Sequence, residues 1–120
     1  DSADTFVATF LGSPGMNLIE RDDYLIGFRP EQFVPKETAD KRHDLATFSF
    51  QIGRVEYLGA DQLLYGEVGE ASDGGYAVAK LSSEFRLPIT AGETYEFSVQ
   101  QKQLRFFDKS TGRRTDSRPI

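Results

Sequence analysis

Residues 45–58 read Leu-Ala-Thr-Phe-Ser-Phe-Gln-Ile-Gly-Arg-Val-Glu-Tyr-Leu, an alternation long enough for one extended strand and broken at a single point. Phe48, Phe50 and Ile52 share one parity, Val55 and Tyr57 share the other, and the switch falls at Gly53. Successive strand residues point to opposite faces, so a parity switch exposes one set unless the strand gains a residue or bends. A bulge or coiled bend at Gly53 keeps both sets inward, and strands that bend this way belong to sheets curling into small barrels of the OB type. Further strands are expected at 24–28, 62–68, 75–81, 94–100 and 103–107, separated by glycine-rich or polar turns. Asp73-Gly74-Gly75 reads as a hairpin turn, and Leu58-Gly59-Ala60-Asp61-Gln62 as another. The polar stretch 35–44 reads as a mobile loop.

Before these strands, Phe6, Val7, Phe10 and Leu11 fall at helical spacing, with Ser2 or Asp4 as N-cap and Gly12 as a stop. One short N-terminal helix over 3–11 is expected, closed off by Gly12-Ser13-Pro14-Gly15. With 120 residues the chain has room for one domain, and ten Phe and five Tyr supply a core without cross-links. The expected fold is therefore mainly β, an OB-fold-like small barrel preceded by one short helix.

Composition closes many chemistries. There is no cysteine and one histidine, His43, which excludes disulfides, thiolate zinc sites and any site needing two imidazoles. His43 sits in a charged stretch beside Asp44 and reads as a solvated loop residue, not a general base. No phosphate-cradling Gly-x-x-x-x-Gly-Lys-[Ser/Thr] and no Gly-x-Gly-x-x-Gly after a strand occurs. The closest carboxylate groupings, Asp22-Asp23, Glu67 with Glu70, and Glu93 with Glu96, give no acid and base pair, and Asp22-Asp23 reads as a solvated turn rather than a cation site. No catalytic, cofactor-binding or metal-binding set is expected in this chain.

The net charge of −5 disfavours a general attraction to nucleic acid or anionic lipid. The first forty residues carry eight acidic against three basic groups, and the last forty carry seven basic against five acidic. Arg113, Arg114 and Arg118 fall in the basic end, read as a frayed tail rather than an anion site. Phe48 and Phe50 alternate with Thr47, Ser49 and Gln51, as core positions do, rather than with the basic residues of a base-stacking platform. Only Lys102–Lys109 mixes basic and aromatic residues, and there Phe106 and Phe107 must face opposite sides. No apolar run is long enough to cross a bilayer as a helix, and residues 1–10 lack a signal-peptide pattern, so the cytoplasm is the expected compartment.

Four stretches carry a resemblance. Phe6-Val7-Ala8-Thr9-Phe10-Leu11-Gly12-Ser13-Pro14-Gly15-Met16-Asn17 resembles the segment by which ATP-binding subunits of maltose-type ABC sugar importers leave the ATPase domain and enter their C-terminal regulatory domain. Ile26-Gly27-Phe28-Arg29-Pro30-Glu31-Gln32-Phe33 resembles the family's Gly-Ile-Arg-Pro-Glu-His-Leu element, Val55-Glu56-Tyr57-Leu58-Gly59 its Val-Glu-x-Leu-Gly turn, and 104–114 its closing strand with Phe107-Asp108 and Thr111-Gly112. The order matches from Phe6 to about Arg114. The resemblance implies a TOBE-type, OB-fold-like regulatory domain of an importer for carbohydrates or glycerol phosphates: residues 1–17 a connector from a preceding ATPase domain, 18–114 the regulatory domain, 115–120 a tail. Asp1 is then expected to be a cut within a longer protein. It implies no catalysis by this chain, with ATP and magnesium held in the ATPase domain of the full-length protein.

The partners implied are a second copy of the subunit, the permease subunits, and in some members a regulatory protein, at the cytoplasmic face of the membrane. The interface is expected among Gly53, Glu56, Leu58, Gly59, Phe107 and Asp108; equally, Gly53 and Gly59 could only shape strand and turn, and Phe107 could be core. An oxyanion site of the molybdate type has no clear residue set here. Between Asn17 and Ile26 the family carries a much longer segment with early strands, so this chain is either naturally short or altered, and a single barrel is expected. The alternative reading is a stand-alone OB-like binder of nucleic acid or a small ligand.

Overall fold

The computed structural model describes residues 15–69, 75–85 and 88–117. The helix expected at 3–11 lies outside the described residues, as do Asp73 and Gly74 of the expected hairpin turn and Arg118 of the tail. Among the described residues nine strands follow in order: β1 (Asn17–Glu20), β2 (Tyr24–Phe28), β3 (Val34–Pro35), β4 (Leu45–Leu58), β5 (Asp61–Val68), β6 (Gly75–Ser82), β7 (Thr94–Gln100), β8 (Arg105–Asp108) and β9 (Arg114–Thr115). Every pairing is antiparallel. They form a four-stranded sheet, β1-β2-β8-β9, and a five-stranded sheet, β3-β7-β4-β5-β6, curled as a half-barrel. The mainly β, OB-like expectation is borne out.

β4 is the spine of the larger sheet. Its first half pairs with β7 from Leu45 to Gln51 and its second half with β5 from Phe50 to Leu58. Pairing slips by one residue between Ile52 and Arg54, which makes Gly53 the extra residue of a bulge, as its parity switch requires. Val55 then turns back toward the core. Tyr57 does not become buried: it shares a cross-strand row with buried Gln62 and Leu81, yet β4 has run beyond the core by that point and leaves it 71% exposed. The bend also needs a glycine that parity could not reveal. Gly66 lies opposite Ile52, and a Cβ there would fall onto the Gln51 carbonyl.

The core gathers the inward parity of both sheets: Ile19, Ile26, Phe28 and Phe106 from the smaller one, and Phe48, Phe50, Ile52, Leu64, Val68, Phe97 and Val99 from the larger. Phe33 sits at its centre without belonging to a strand. Pro30–Gln32 forms one 3-10 turn, in which the Arg29 backbone N–H donates to the Gln32 side-chain oxygen at 2.9 Å and the Phe33 N–H to the Pro30 carbonyl at 3.3 Å. Proline suits the first position of such a turn, and the closed turn drops Phe33 into the aromatic cluster. The Arg-Pro-Glu-Gln-Phe stretch thus acts here as a device for delivering one ring.

The two sheets meet where β1 runs beside β6. The Asn17 side chain, 5% exposed, gives its amide N–H to the Val78 carbonyl at 2.9 Å and accepts the Val78 N–H at 2.8 Å, standing in for a missing ladder pair. Next to it, a Cβ on Gly75 would be 3.1 Å from the Leu18 carbonyl oxygen, so glycine lets the backbones close. A buried donor or acceptor left without a partner costs about 1–3 kcal/mol, so a polar side chain is the stable choice at this seam.

The stretch 35–44 differs from the mobile loop expected. Pro35 pairs with Phe97, Lys36–Thr38 forms a 3-10 turn, and Thr38 Oγ1 donates to the Pro35 carbonyl at 2.9 Å. Asp40 receives Arg42 through its backbone N–H and its guanidinium, and the Asp44 carbonyl accepts the Gln101 N–H at 2.8 Å. Polar side chains here fasten the backbone locally, which a reading of polarity as looseness overlooks.

Candidate functional site

β4 and β5, flanked by β6, run on past the core as an arm ending in the β4–β5 turn. Its turn is a two-residue hairpin with Gly59 at φ 62 in the first central position, a geometry glycine adopts freely. Ser83 clasps this turn: its N–H donates to the Ala60 carbonyl at 2.8 Å and its hydroxyl to the Gly59 carbonyl at 2.9 Å. The tip is thereby fixed while carrying Tyr57 at 71% and Leu58 at 53% exposure on opposite faces. Two large apolar side chains held open on a braced hairpin are what a contact surface requires.

The outer face of the arm is built from cross-strand rows: Leu58 with Asp61 and Ser82, Glu56 with Leu63 and Lys80, Arg54 with Tyr65 and Val78. The Arg54 guanidinium lies 4.0 Å from the centre of the Tyr65 ring. Tyr65 in turn donates its hydroxyl to Glu56 Oε1 at 3.0 Å, and Arg54 Nη1 stands 3.8 Å from Glu56 Oε2. The Glu56 carboxylate raises the Tyr65 phenol above its ordinary pKa by accepting that hydrogen bond. Lys80 and Asp61 add an ion pair at 3.7 Å. Face and tip together are apolar at the end and charged along the side, with both signs present.

Four of the residues expected at the interface, Gly53, Glu56, Leu58 and Gly59, therefore share this arm. Phe107 and Asp108 lie on β8 in the other sheet. Phe107 is 5% exposed and is not part of the central cluster, because Phe106 takes the inward position and Phe107 the opposite face. Asp108 organises the following turn: its Oδ1 accepts the Ser110 N–H at 2.8 Å, the Ser110 hydroxyl at 2.6 Å and the Thr111 N–H at 3.1 Å. The Ser110 hydroxyl leads the bonds that hold its carboxyl below the usual range. Sequence reasoning missed Tyr57 as a surface residue, and Arg54 and Tyr65 as a pair on the opposite, Leu58 face; the signal available for Tyr57 was that the last residues before a tight hairpin leave the core.

Among the described residues, the remaining titratable groups do not assemble into a reactive site. His43 Nε2 lies 3.8 Å from Asp40, whose carboxyl is held down to about 2 by the Arg42 guanidinium. Glu96 pairs with Lys36 at 3.6 Å, and Glu67 stands on the outer face opposite Tyr76. Among the described residues no group of three or more His, Asp or Glu side chains could hold a metal ion. Among them, too, no helix is long and apolar enough to cross a membrane.

No family model matches the chain. Curated proteins do match it. The chain is 30% identical to the sn-glycerol-3-phosphate import ATP-binding protein UgpC of Paraburkholderia xenovorans, with 95% of the chain and 38% of that protein covered. Proteins of the same name match in Vibrio vulnificus, at 30% identity over 92% of the chain and 34% of the relative, and in Shigella boydii, at 31% over 93% and 36%. These homologues are consistent with a C-terminal domain of a sugar or glycerol-phosphate ABC importer ATPase, as the four motifs imply. The chain spans under two fifths of the length of these relatives. The Paraburkholderia alignment runs over 151 positions, more than the chain possesses, so that relative carries residues with no counterpart here.

Proposed function

We propose that this domain is the regulatory and dimerisation module of an ABC importer's ATP-binding subunit, serving uptake of a carbohydrate or a glycerol phosphate. The observation that carries the reading is the braced β4–β5 arm, whose exposed Leu58 offers a small apolar contact on the face that carries Arg54, Glu56, Lys80 and Asp61, with Tyr57 exposed at the tip on the opposite side. A face with both charge signs can pair with a copy of itself, each cation meeting the partner's anion. Constant contact between two such domains keeps two ATPase halves at high effective concentration, so that ATP-driven closure becomes an intramolecular motion. ATP and magnesium belong to the ATPase domain, the other partners are the permease subunits and in some settings a regulatory protein, and the assembly sits at the cytoplasmic face of the membrane. The acidic residues of the same arm, Glu56, Asp61 and Glu67, oppose a nucleic-acid role.

Sedimentation equilibrium over a wide concentration range tests this. The wild-type chain is expected to dimerise weakly, and Leu58→Glu to raise the dissociation constant about tenfold or more, the equivalent of about 1.4 kcal/mol. A wild-type chain that stays monomeric at every concentration, or a dimer indifferent to Leu58→Glu, overturns the proposed interface.

A further inference from the structure

The outer face of the larger sheet carries a recess. Val34, Ser98 and Thr47 form a row across β3, β7 and β4, and Gln100 and Leu45 form the next. These positions alternate with buried Phe97, Val99, Ala46 and Phe48, so they point away from the core. Ser98 is nevertheless fully buried. The turns at Pro30–Gln32, Lys36–Thr38 and Gln101–Gln103 wall it in, and a cleft of about 280 Å³ stays open between them. Its lining is mostly polar. Gln32 Oε1 accepts the Arg29 N–H at 2.9 Å, which fixes that amide and leaves its NH₂ group as a donor. The Ser98 and Thr47 hydroxyls share one hydrogen at 2.8 Å, so the pair keeps a second to give. Thr38 comes from the second turn, and Gln100 and Gln103 from the end of β7 and the third turn. Two carboxylates, Glu31 and Asp40, complete the polar wall, and among the described residues no lysine or arginine lines the cleft.

The geometry points to a binding site for a neutral polyhydroxyl compound of about one sugar ring, held by the amides of Gln32, Gln100 and Gln103 and the carboxylates of Glu31 and Asp40. Three features select this class. Amides and carboxylates together match hydroxyl groups, each of which both donates and accepts. Two carboxylates with no cation in the lining repel phosphate esters and other anions, and Asp40 keeps its charge because the Arg42 guanidinium holds its carboxyl down to about 2. Among the described residues no third His, Asp or Glu joins them to hold a metal ion. The volume lies at the small end for ligand pockets, about 300 Å³, which suits one ring rather than a chain of them. Val34, Ala39 and Leu45 supply the apolar contact that the C–H side of such a ring needs. A bound ligand would tie Thr38 and Asp40 to the end of β7. The site stands on the cleft alone and does not depend on the importer reading.

The test is a nuclear magnetic resonance titration of the full 120-residue chain with D-glucose, D-ribose, myo-inositol and glycerol, and with glycerol 3-phosphate as the charged control. At least one neutral compound is expected to move the side-chain amide signals of Gln32, Gln100 and Gln103 saturably, with a dissociation constant of about 1 mM or below. The amide signals of Gln51 and Gln62, which lie outside the cleft, are expected to stay in place. Glycerol 3-phosphate is expected to bind about tenfold more weakly or worse than the best neutral compound. In Gln100→Ala/Gln103→Ala the affinity is expected to fall about tenfold or more with the melting temperature unchanged. A wild-type chain that none of the four compounds moves saturably overturns the inference, even if the double variant does not fold. So does an equal response to glycerol 3-phosphate, or a folded double variant that binds as wild type does.

Discussion

Gly66→Ala is expected to unfold the domain or to lower its stability by at least about 3 kcal/mol, whereas Gly53→Ala shifts it by less than about 1 kcal/mol. The two glycines serve the same bend and differ in what a methyl group meets. At Gly53 a Cβ finds only the Tyr65 carbonyl oxygen, at 3.8 Å, an ordinary contact, and the loss of backbone freedom in the unfolded chain offsets part of any cost. At Gly66 it falls onto the Gln51 carbonyl and comes within 2.9 Å of the Ile52 Cα, both backbone of the facing strand. Relief requires β4 and β5 to separate where pairing slips, which opens Ile52 and the β4–β7 junction to water. Overpacking against backbone stands at the costly end of small-to-large changes. Urea unfolding of the two variants beside wild type reads the difference as a shift in midpoint at constant slope; equal midpoints would mean that the bend is not held by Gly66.

Phe33→Ala is expected to cost about 3–5 kcal/mol. Phe33 is fully buried, with ring centres 5.0 Å from Phe28, 5.0 Å from Phe50, 5.2 Å from Phe97 and 6.3 Å from Phe48. Truncation leaves a cavity bounded by rings from both sheets, and those rings cannot collapse inward without pulling strands out of register. For a domain of this size such a loss lowers the melting temperature by on the order of 10–20 °C. Phe33→Leu refills most of the space and should recover more than half of the loss. Calorimetry on the two variants separates this from a role of the Pro30–Gln32 turn alone: if both variants melt as wild type does, Phe33 is not the centre of the core.

These two residues show where sequence legibility ended. The bounds of β2, β4 and β7 were readable because each strand carries its own alternation or apolar run. Gly53 was readable because it breaks its own strand's parity. Gly66 was not, since its crowding comes from the facing strand, and pairing is a property of two segments. Phe33 lies outside any periodic run, so its burial depends on a turn that pattern reading passes over. β1 was hidden for a related reason: Asn17 is by habit a turn residue, yet here its amide joins the two sheets. The candidate interface was half legible, with Leu58, Gly59 and Glu56 gathered on one arm while Phe107 and Asp108 fell on the other sheet. Motif order carried the resemblance to importer subunits, but it could not indicate which side of β8 Phe107 occupies.

Assignment to an importer's ATP-binding subunit is tested most directly by sequencing the reading frame that encodes these residues, upstream of the codon for Asp1. The prediction is a continuous frame that encodes a Gly-x-x-x-x-Gly-Lys-[Ser/Thr] loop and an ABC signature before residue 1. A frame that opens at or just before Asp1, with no such loop, would contradict the assignment and make the barrel a protein in its own right.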